Sequence, residues 1–336
     1  MSFEIPKGLA FSGSDSIGFD QFFNDTSRTS ASNFEHSKAL TFLSNSGSLL
    51  EQLSYTYNSC PLCNAQAYEK FLFKKQGYNH WNCTKCGGIY VNPCLNKKVL
   101  YEQVYGSSEY PFVSVVNSSS QLLYDQKRFD DALDIIQKNY QNPSLLDLGC
   151  GGGVFLDRAQ KRGVSNLVGC DVLAKAVDVA SSTCPTAKVF KQPAEDLLLN
   201  ETTYDVISLW ELLDHVLFPQ KLLNLVINRL NPGGILLLSM RNAESLASLV
   251  LKEKAEMFLG YAHLSFWNKS HFISIAESFS FDILDYYTYI SYYEPISREL
   301  ANTKDSLVAL TTLLNPKSIL KEDLGYKIVC ILRRSH

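Results

Sequence analysis

The stretch LLDLGCGGGVF, residues 145–155, decides the fold of this chain. An apolar run is followed by four glycines in five positions, a pattern typical of a buried strand whose turn lets the backbone lie against a ligand. A dinucleotide site requires the spacing G-x-G-x-x-G. The third glycine is replaced by Val154 when the count starts at Gly149, and by Leu156 when it starts at Gly151. The loop therefore does not match a dinucleotide site.

Short apolar runs alternate with helical patterns from residue 143 onward. Strands are predicted for SLLDLGC, NLVGCDV, AKVFKQ, YDVISLW and GGILLLSM, and helices for GVFLDRAQKRG, LAKAVDVASS and PQKLLNLVINRL. Two further strands are predicted for FDILDYYTYISYY and YKIVCILRR. This alternation predicts an α/β fold, with a parallel sheet covered by helices on both faces.

Four cysteines form two Cys-x-x-Cys pairs, Cys60 with Cys63 and Cys83 with Cys86, separated by nineteen residues. This spacing is typical of a tetrahedral Zn²⁺ site. A fragment of about 40 residues has little core, so the metal would supply its folding energy. Four protein ligands close the coordination shell, which predicts a structural role. The alternatives are four buried thiols without metal, or His80 in place of one cysteine.

The composition is that of an ordinary globular protein, with 46% hydrophobic residues, 19% charged residues and a net charge of −3. This charge does not favour nucleic acid or an anionic membrane as a partner. No apolar stretch approaches the roughly 18–20 residues that span a bilayer, and the N-terminus lacks the pattern of a secretory signal. We therefore expect a cytoplasmic protein with reduced thiols and no membrane partner. The oligomeric state is left open.

Four regions are expected along the chain. Residues 1–54 are rich in Ser and Asn and predict a flexible or partly helical arm, with a short helix near 38–53. Residues 55–95 are expected to form a small zinc-ribbon-like module. A helical linker is predicted over 96–140, and the α/β domain over 141–336.

The run D-x-G-x-G-x-G, from Asp147 to Gly153, resembles the first motif of class I S-adenosylmethionine-dependent methyltransferases. Other features follow in that family's order over about 143–285: Asp171 ending NLVGCDV, then KQPAED, then the Pro-Gly-Gly turn of RLNPGGILLLSM. The resemblance implies a Rossmann-like sheet of seven strands, mostly parallel with the last strand antiparallel. With the zinc-binding module in front, the chain is similar to bacterial methyltransferases of polysaccharide and natural-product pathways.

The resemblance also implies which residues hold S-adenosylmethionine. The carboxylate of Asp171 would accept hydrogen bonds from both ribose hydroxyls. The Ala194 amide and the Glu195 or Asp196 side chain would meet the adenine. As alternatives, Asp147 and Asp171 could cap helices, and Glu195 could be a solvated turn residue. The expected cofactor-binding set is Asp147, Gly149, Gly151, Gly153, Asp171, Ala194, Glu195, Asp196 and Trp210.

Methyl transfer to a hydroxyl requires an acceptor held in line and a group that takes its proton. The segment WELLDHV follows the fourth strand and carries Asp214 and His215, where many small-molecule methyltransferases have Glu-His. His215 is the first candidate base because its free pKa lies close to neutral. His263 is the second, in an aromatic segment that resembles one found over the family's pocket. A packing role is the alternative for both histidines.

The expected function is transfer of a methyl group from S-adenosylmethionine to a small molecule, at a hydroxyl of a sugar or secondary metabolite. An RNA methyltransferase is the alternative, because residues 51–100 contain six lysines and two glutamates. The acidic chain and the lack of arginine in that patch weigh against it. Sugar C-methylation is less favoured, since Tyr261-Ala262-His263 lacks the glutamate of the related Tyr-x-Glu-His motif. A non-catalytic cofactor-binding subunit disagrees with the intact glycine loop. The scaffold leaves the acceptor atom open between O, N and C.

Overall fold

The computed structural model of the chain describes residues 36–106, 119–290, 293–301 and 316–335. The strands in these ranges are β1 (Ser54–Tyr55), β2 (Glu69–Lys75), β3 (Tyr78–Cys83), β4 (Ile89–Val91), β5 (Cys94–Leu95), β6 (Ser144–Leu148), β7 (Asn166–Asp171), β8 (Lys188–Lys191), β9 (Tyr204–Trp210), β10 (Leu230–Arg241), β11 (Ser265–Phe266), β12 (Phe281–Tyr289) and β13 (Lys327–Arg334). The α-helices are α1 (Lys97–Val99), α2 (Ser119–Asn139), α3 (Val154–Lys161), α4 (Ala174–Thr183), α5 (Ala194–Leu197), α6 (Pro219–Asn228), α7 (Leu246–Leu251), α8 (Lys269–Phe279), α9 (Tyr293–Ala301) and α10 (Pro316–Lys321).

A central sheet of seven strands runs in the order β12-β13-β10-β9-β6-β7-β8. The strands β6 to β10 pair in parallel, whereas β13 is antiparallel to both of its neighbours, β10 and β12. This arrangement confirms the predicted Rossmann-like sheet with its last strand antiparallel. The order reverses direction between β6 and β9, and ligands of such sheets bind beyond the carboxyl ends of the strands at this point.

Helices cover both faces of the sheet, as parallel strands require. In β6, Leu146 packs into the apolar cluster that includes α6 and α8, whereas Leu145 packs into the cluster that includes α2 and α3. The buried positions of α6 recur at spacings of three and four residues, which places a continuous apolar stripe against the sheet. No helix in the described ranges is long and apolar enough to cross a membrane.

The cysteine-rich region forms a second, smaller sheet. Its strand order is β11-β4-β3-β2, and all pairs are antiparallel. Strand β11 belongs to the sequence of the α/β domain, so the zinc-ribbon-like module expected over 55–95 shares a sheet with residues far along the chain. Cys60 and Cys83 lie in the same buried cluster as α6 and α8. The cysteine-rich region is therefore packed onto the central domain.

The N-terminal arm and the linker differ in part from expectation. Residues 1–35 and 107–118 lie outside the described part of the chain. The helix predicted near 38–53 is wrong beyond residue 41, because Leu43 pairs with Leu49 across a turn and a 3₁₀ turn, Glu51–Leu53, follows. The sequence SNSGS supplies the turn residues that stop the helix. In the linker, α1 continues as a π-helical segment, Leu100–Tyr105.

Candidate active site

The glycine loop leaves β6 and turns into α3. Gly149 has φ +70° and Gly151 has φ +51°, in the left-handed region that favours glycine. A β-carbon at Gly149 would lie 3.1 Å from the Leu212 side chain. The Gly151 amide donates to Asp171 Oδ2 at 3.1 Å, and the Leu173 amide donates to Asp171 Oδ1 at 2.9 Å. The loop and the carboxylate at the end of β7 are therefore held in one fixed arrangement.

A cavity of about 270 Å³ opens at the carboxyl ends of the central strands. Gly149, Gly151 and Asp171 line it, and so do His215 and His263. The described residues of its walls also include Ala194, Glu195, Leu212, Val216, Tyr261 and Ala262. The fold thus brings both groups of predicted site residues to one cavity.

Two tyrosines of the linker also line this cavity, and the sequence analysis missed both. The Tyr101 hydroxyl contacts both carboxylate oxygens of Glu195, at 2.9 and 3.0 Å, and Lys97 Nζ lies 3.5 Å from Glu195 Oε1. The buried Tyr105 hydroxyl shares its proton between the backbone oxygens of Ala262, at 2.7 Å, and His215, at 2.9 Å. The spacing of the two tyrosines in YEQVYG, residues 101–106, was the signal in the sequence that could have identified them.

Asp147 and Gly153 were expected to touch the cofactor, but neither lines the cavity. Asp147 lies beneath the loop, 1% exposed, and accepts a hydrogen bond of 2.7 Å from Ser208 Oγ. Burial raises the pKa of Asp147 to about 7, although the Ser208 bond acts in the opposite direction. A β-carbon at Gly153 would lie 2.9 Å from Ala180, so this glycine allows α3 to approach α4.

Trp210 and Asp196 also lie away from the cavity walls. The Trp210 ring packs against Phe129, with centroids 4.7 Å apart, and against Phe155, at 5.4 Å. Successive side chains of a strand point to opposite faces, and Trp210 lies on the face covered by α2 and α3. Asp196 is exposed on α5.

The two histidines contact each other and use their Nδ1 atoms in the same way. His215 Nδ1 lies 3.1 Å from the Ala262 carbonyl oxygen, and His263 Nδ1 lies 2.6 Å from the Met257 carbonyl oxygen. A carbonyl only accepts, so the proton of each neutral ring is assigned to Nδ1 and the lone pair to Nε2. Burial is the main cause that lowers the pKa of both rings, and Arg241 adds to it.

The Nε2 atoms of the two rings differ in their surroundings. His215 Nε2 lies 3.5 Å from Arg241 Nη1 and 4.0 Å from Asp214 Oδ1, so it faces a buried ion pair. His263 Nε2 has no hydrogen-bond partner among the residues that the structure describes. The pKa of His263 is lowered well below the free value by burial, by Arg241 and by His215.

A buried ionic cluster lies next to the histidines. Asp214 is fully buried and ion-paired with Arg241, so its carboxylate faces this cation. Glu211 lines the cavity with φ +55°, a conformation that is rare outside glycine. It pairs with Arg128 at 2.8 Å and with Lys327, and Arg241 lies 3.8 Å away. Burial opposes ionisation, but these three cations hold the pKa of Glu211 well below its usual value.

The four paired cysteines converge on one point. Their Sγ atoms all lie within 4.8 Å of one another, with Cys60 to Cys86 at 3.9 Å and Cys63 to Cys83 at 3.7 Å. Tetrahedral ligation with Zn–S bonds of about 2.3 Å places the sulfurs about 3.8 Å apart. The cluster therefore has the dimensions of a four-thiolate zinc site.

The expected alternative ligand, His80, lies elsewhere. It is not part of the cysteine group, and its ring stacks on Phe73 with centroids 4.9 Å apart. Phe258 and Phe266 complete its surroundings. This is the environment of a core histidine rather than of a metal ligand.

The lysine patch on which the alternative RNA function depends is partly engaged within the protein. Lys75 Nζ donates to the Ala255 carbonyl oxygen at 2.8 Å. Lys97 lies 3.5 Å from Glu195, at the rim of the cavity. These two lysines contact the protein's own acceptors, which reduces the surface available to phosphates.

Comparison with known proteins finds similarity to methyltransferases. Residues 124–286 match a family model described as a methyltransferase domain. A ubiquinone biosynthesis O-methyltransferase of Rickettsia bellii (strain OSU 85-389) is 29% identical over 157 residues, which is 45% of this chain and 65% of that protein. One from Paracidovorax citrulli (strain AAC00-1) is 26% identical over 180 residues, 50% of this chain and 74% of that protein.

The chain thus spans 65% of the length of the first of these relatives. A solved structure of a SAM-dependent methyltransferase from Archaeoglobus fulgidus superimposes with a TM-score of 0.49 and 17% identity, covering 67% of this chain and 100% of that one.

The sheet, the glycine loop and the family match define a methyltransferase domain over residues 124–286. The cysteine cluster and the linker tyrosines precede the matched segment in the chain.

Proposed function

We propose that this chain transfers a methyl group from S-adenosylmethionine to a hydroxyl of a small, ring-bearing molecule. The observation that carries the proposal is the single cavity whose walls include the glycine loop, Asp171 and two neutral histidines. The name of the curated relatives, O-methyltransferase, supports oxygen as the acceptor atom. Nine free cysteines support a reducing compartment, in keeping with a cytoplasmic enzyme.

Asp171, Gly149 and Gly151 are the residues proposed to hold the cofactor. The Asp171 oxygens each receive one backbone amide, and a carboxylate oxygen has a second lone pair that can accept a ribose hydroxyl. The open backbone of the two glycines leaves room for the amino-acid portion. When bound, S-adenosylmethionine supplies a methyl group on a positively charged sulfur. Glu195 would reach the cofactor while Tyr101 holds its carboxylate.

The acceptor is proposed to bind against the apolar wall of the cavity. Val104, Val216, Tyr261 and Ala262 line this part, together with the ring of Tyr105. Such a wall suits the face of an aromatic or other apolar ring, whereas a sugar would leave hydroxyls buried without partners. The wall therefore favours a phenolic secondary metabolite over a sugar.

His263 is proposed as the general base, in preference to His215. Both ring nitrogens of His215 face the protein, one toward the Ala262 carbonyl and the other toward Arg241. His263 keeps the lone pair of Nε2 available at the cavity wall. The ring of His215 then packs against the ring of His263 and holds it in place, with 4.9 Å between the two ring centroids.

The lowered pKa of His263 also bears on the acceptor. Burial, Arg241 and His215 disfavour the imidazolium that forms when Nε2 takes the acceptor's proton. A weak base suits a hydroxyl that is itself acidic, such as a phenol with a pKa of about 10, better than an aliphatic alcohol. His263 Nε2 would take the hydroxyl proton as the oxygen–carbon bond forms and the carbon–sulfur bond of the methyl donor breaks, and it would then release the proton to solvent.

The proposal is tested with a panel of phenols and sugars and labelled S-adenosylmethionine. Transfer to phenols alone is expected. His263→Ala should then lower kcat by about 10²–10⁴-fold with cofactor affinity nearly unchanged, while His215→Ala has a smaller effect on kcat. If His215→Ala abolishes turnover and His263→Ala retains it, the assignment of the base is wrong.

We further propose that the four cysteines bind a structural Zn²⁺. The support is the separation of the Sγ atoms, 3.7 Å between Cys63 and Cys83 and 3.9 Å between Cys60 and Cys86, which matches the edge of a tetrahedral site. A backbone amide also contacts this group, since the Leu62 N–H donates to Cys60 Sγ at 3.4 Å. Such N–H donors stabilise thiolate charge.

A further inference from the structure

The second cysteine knuckle, Cys83–Cys86, is attached to the start of helix α8. Asn268 caps this helix, and its side-chain amide donates to the Cys86 carbonyl oxygen at 3.0 Å. The hydroxyl of Ser270 donates to the same carbonyl at 3.2 Å. The knuckle and the helix terminus are therefore bound to each other through side chains of the methyltransferase domain.

His271 occupies the third position of this helix and faces the knuckle. Its Nδ1 accepts the Asn268 backbone amide at 3.1 Å, which assigns the proton of the neutral ring to Nε2. The residue is 5% exposed, and Nε2 is buried without a hydrogen-bond partner among the described residues. A β-carbon at Gly88 would lie 3.0 Å from this atom, so the ring edge lies directly beside the knuckle. Cys86 is the cysteine with which the ring interacts electrostatically.

The same segment leads to the proposed acceptor site. Strand β11 precedes Asn268 and pairs with β4, and the Leu264 carbonyl accepts the Val91 amide at 2.9 Å. The Leu264 amide donates to the Asp214 carbonyl at 2.7 Å. His263 immediately precedes Leu264, whose backbone makes both of these hydrogen bonds. The proposed base, β11 and the capped start of α8 therefore form one continuous strip of the chain, residues 263–271.

We propose that His271 donates its Nε2–H to the metal-bound Cys86 thiolate and is a positioning residue that joins the metal centre to the acceptor wall. This inference rests on the zinc site proposed above. Four thiolates around one Zn²⁺ carry a net charge of −2, and an N–H donor stabilises this excess charge in a buried site. An unpartnered buried N–H is costly, and the thiolate supplies the partner. Loss of the metal then loosens the strip that carries His263.

Two substitutions separate the donor role of His271 from its capping role. Glutamine and glutamate both supply the side-chain oxygen that a capping box requires at this position. His271→Gln keeps an N–H donor next to the acceptor oxygen. His271→Glu keeps the cap but has no donor and adds a negative charge beside Cys86. Ser274→Ala, on the exposed side of the same helix, is the matched control.

The first measurement is release of zinc from each purified full-length variant to a chromophoric chelator. His271→Glu should weaken zinc binding by about 10–100-fold, while His271→Gln and Ser274→Ala stay close to the parent. In cobalt-substituted protein, the thiolate-to-cobalt charge-transfer band of His271→Glu should move to lower energy. Hydrogen exchange of residues 262–268 should become faster in that variant.

The outcomes distinguish this inference from the zinc proposal. Equal zinc release and an equal charge-transfer band in His271→Glu and the parent overturn the role of His271. Equal weakening in His271→Gln and His271→Glu also overturns it, because both variants then report something other than the N–H donor. If the parent protein binds no zinc, the metal site itself is wrong.

Discussion

The rings of His215 and His263 meet edge to face, with centroids 4.9 Å apart and planes at 79°. Each ring is also tied to the backbone of the segment 257–262 through its Nδ1 atom. The Tyr105 hydroxyl bridges the backbone oxygens of His215 and Ala262 and so holds the two segments together. A proton on one ring therefore disfavours a proton on the other.

This relationship predicts the pH dependence of methyl transfer. Burial lowers the pKa of both histidines, and that of His263 lies well below its free value. A base acts in its neutral form, so activity is lost as the pH falls through the lowered pKa and is constant above it. We expect kcat/KM to be flat from neutral pH upward and to decline only at pH values below the ordinary pKa of a free histidine.

The check is a pH–rate profile of the parent with a good phenolic acceptor, recorded beside protein stability at each pH. Stability is needed because acid also protonates zinc thiolates. A decline centred at pH 7 or above, with the protein still folded, would mean that the group in control is not a buried histidine.

Much of the fold was predictable because its signals are local. The glycines at 149, 151 and 153 follow a buried strand, and the two cysteine pairs have a fixed internal spacing. Strand and helix periodicity predicted the seven strands of the central sheet, since β6, β9, β10 and β13 are almost wholly buried runs, although the edge strand β8 is mostly exposed. The convergence of the four cysteines likewise follows from two short knuckles that only need to meet.

The rest of the site depends on contacts between distant residues. Tyr101 and Glu195 are 94 residues apart, and Tyr105 lies 110 residues before His215. No periodicity links such pairs. Trp210, expected to contact the cofactor, does not line the cavity for a related reason: the packing of the sheet decides which face a strand-end residue occupies. The pairing of β11 with β4 could not be predicted, because β11 consists of only two residues and so shows no periodicity.

Removing one zinc ligand should disturb both parts of the protein. We expect about one zinc per chain, and Cys63→Ser should lose it. Because β11 shares the small sheet and Cys60 lies in the central apolar cluster, the loss should lower the unfolding temperature of the whole chain as well as expose residues 55–95 to protease.

The matched control is Cys184→Ser. The Cys184 thiol donates to Gln160 Oε1 at 3.0 Å, a bond that a serine hydroxyl can replace, and it lies outside the cysteine group. This variant should keep its zinc. If Cys63→Ser retains zinc and the parent's protease resistance, the four-thiolate site is not what stabilises this region.

Asp147 should make stability depend on pH. Burial raises its pKa to about 7, well above that of an aspartate in the unfolded chain, so its contribution to stability is fully present below the unfolded pKa and is lost as the pH rises through about 7. The loss between these limits is on the order of 4 kcal/mol. Asp147→Asn cannot ionise, and Ser208 Oγ can still donate to its side-chain oxygen.

The measurement is urea unfolding of the parent and of Asp147→Asn at several pH values between about 5.5 and about 8.5. The variant should gain stability relative to the parent as the pH rises. A constant difference between the two proteins across this range would show that Asp147 does not titrate there.

The central claim is that the cavity beside the glycine loop binds S-adenosylmethionine through Asp171. Calorimetry with the demethylated product, S-adenosylhomocysteine, tests it without knowledge of the acceptor. We expect a low-micromolar or tighter dissociation constant for the parent. Asp171→Ala removes two hydrogen bonds to a charged acceptor, each about 1.5 kcal/mol or more, so affinity should fall at least about tenfold. Asp196→Ala, an exposed position away from the cavity walls, should bind like the parent. Equal affinity of Asp171→Ala and the parent would contradict the account.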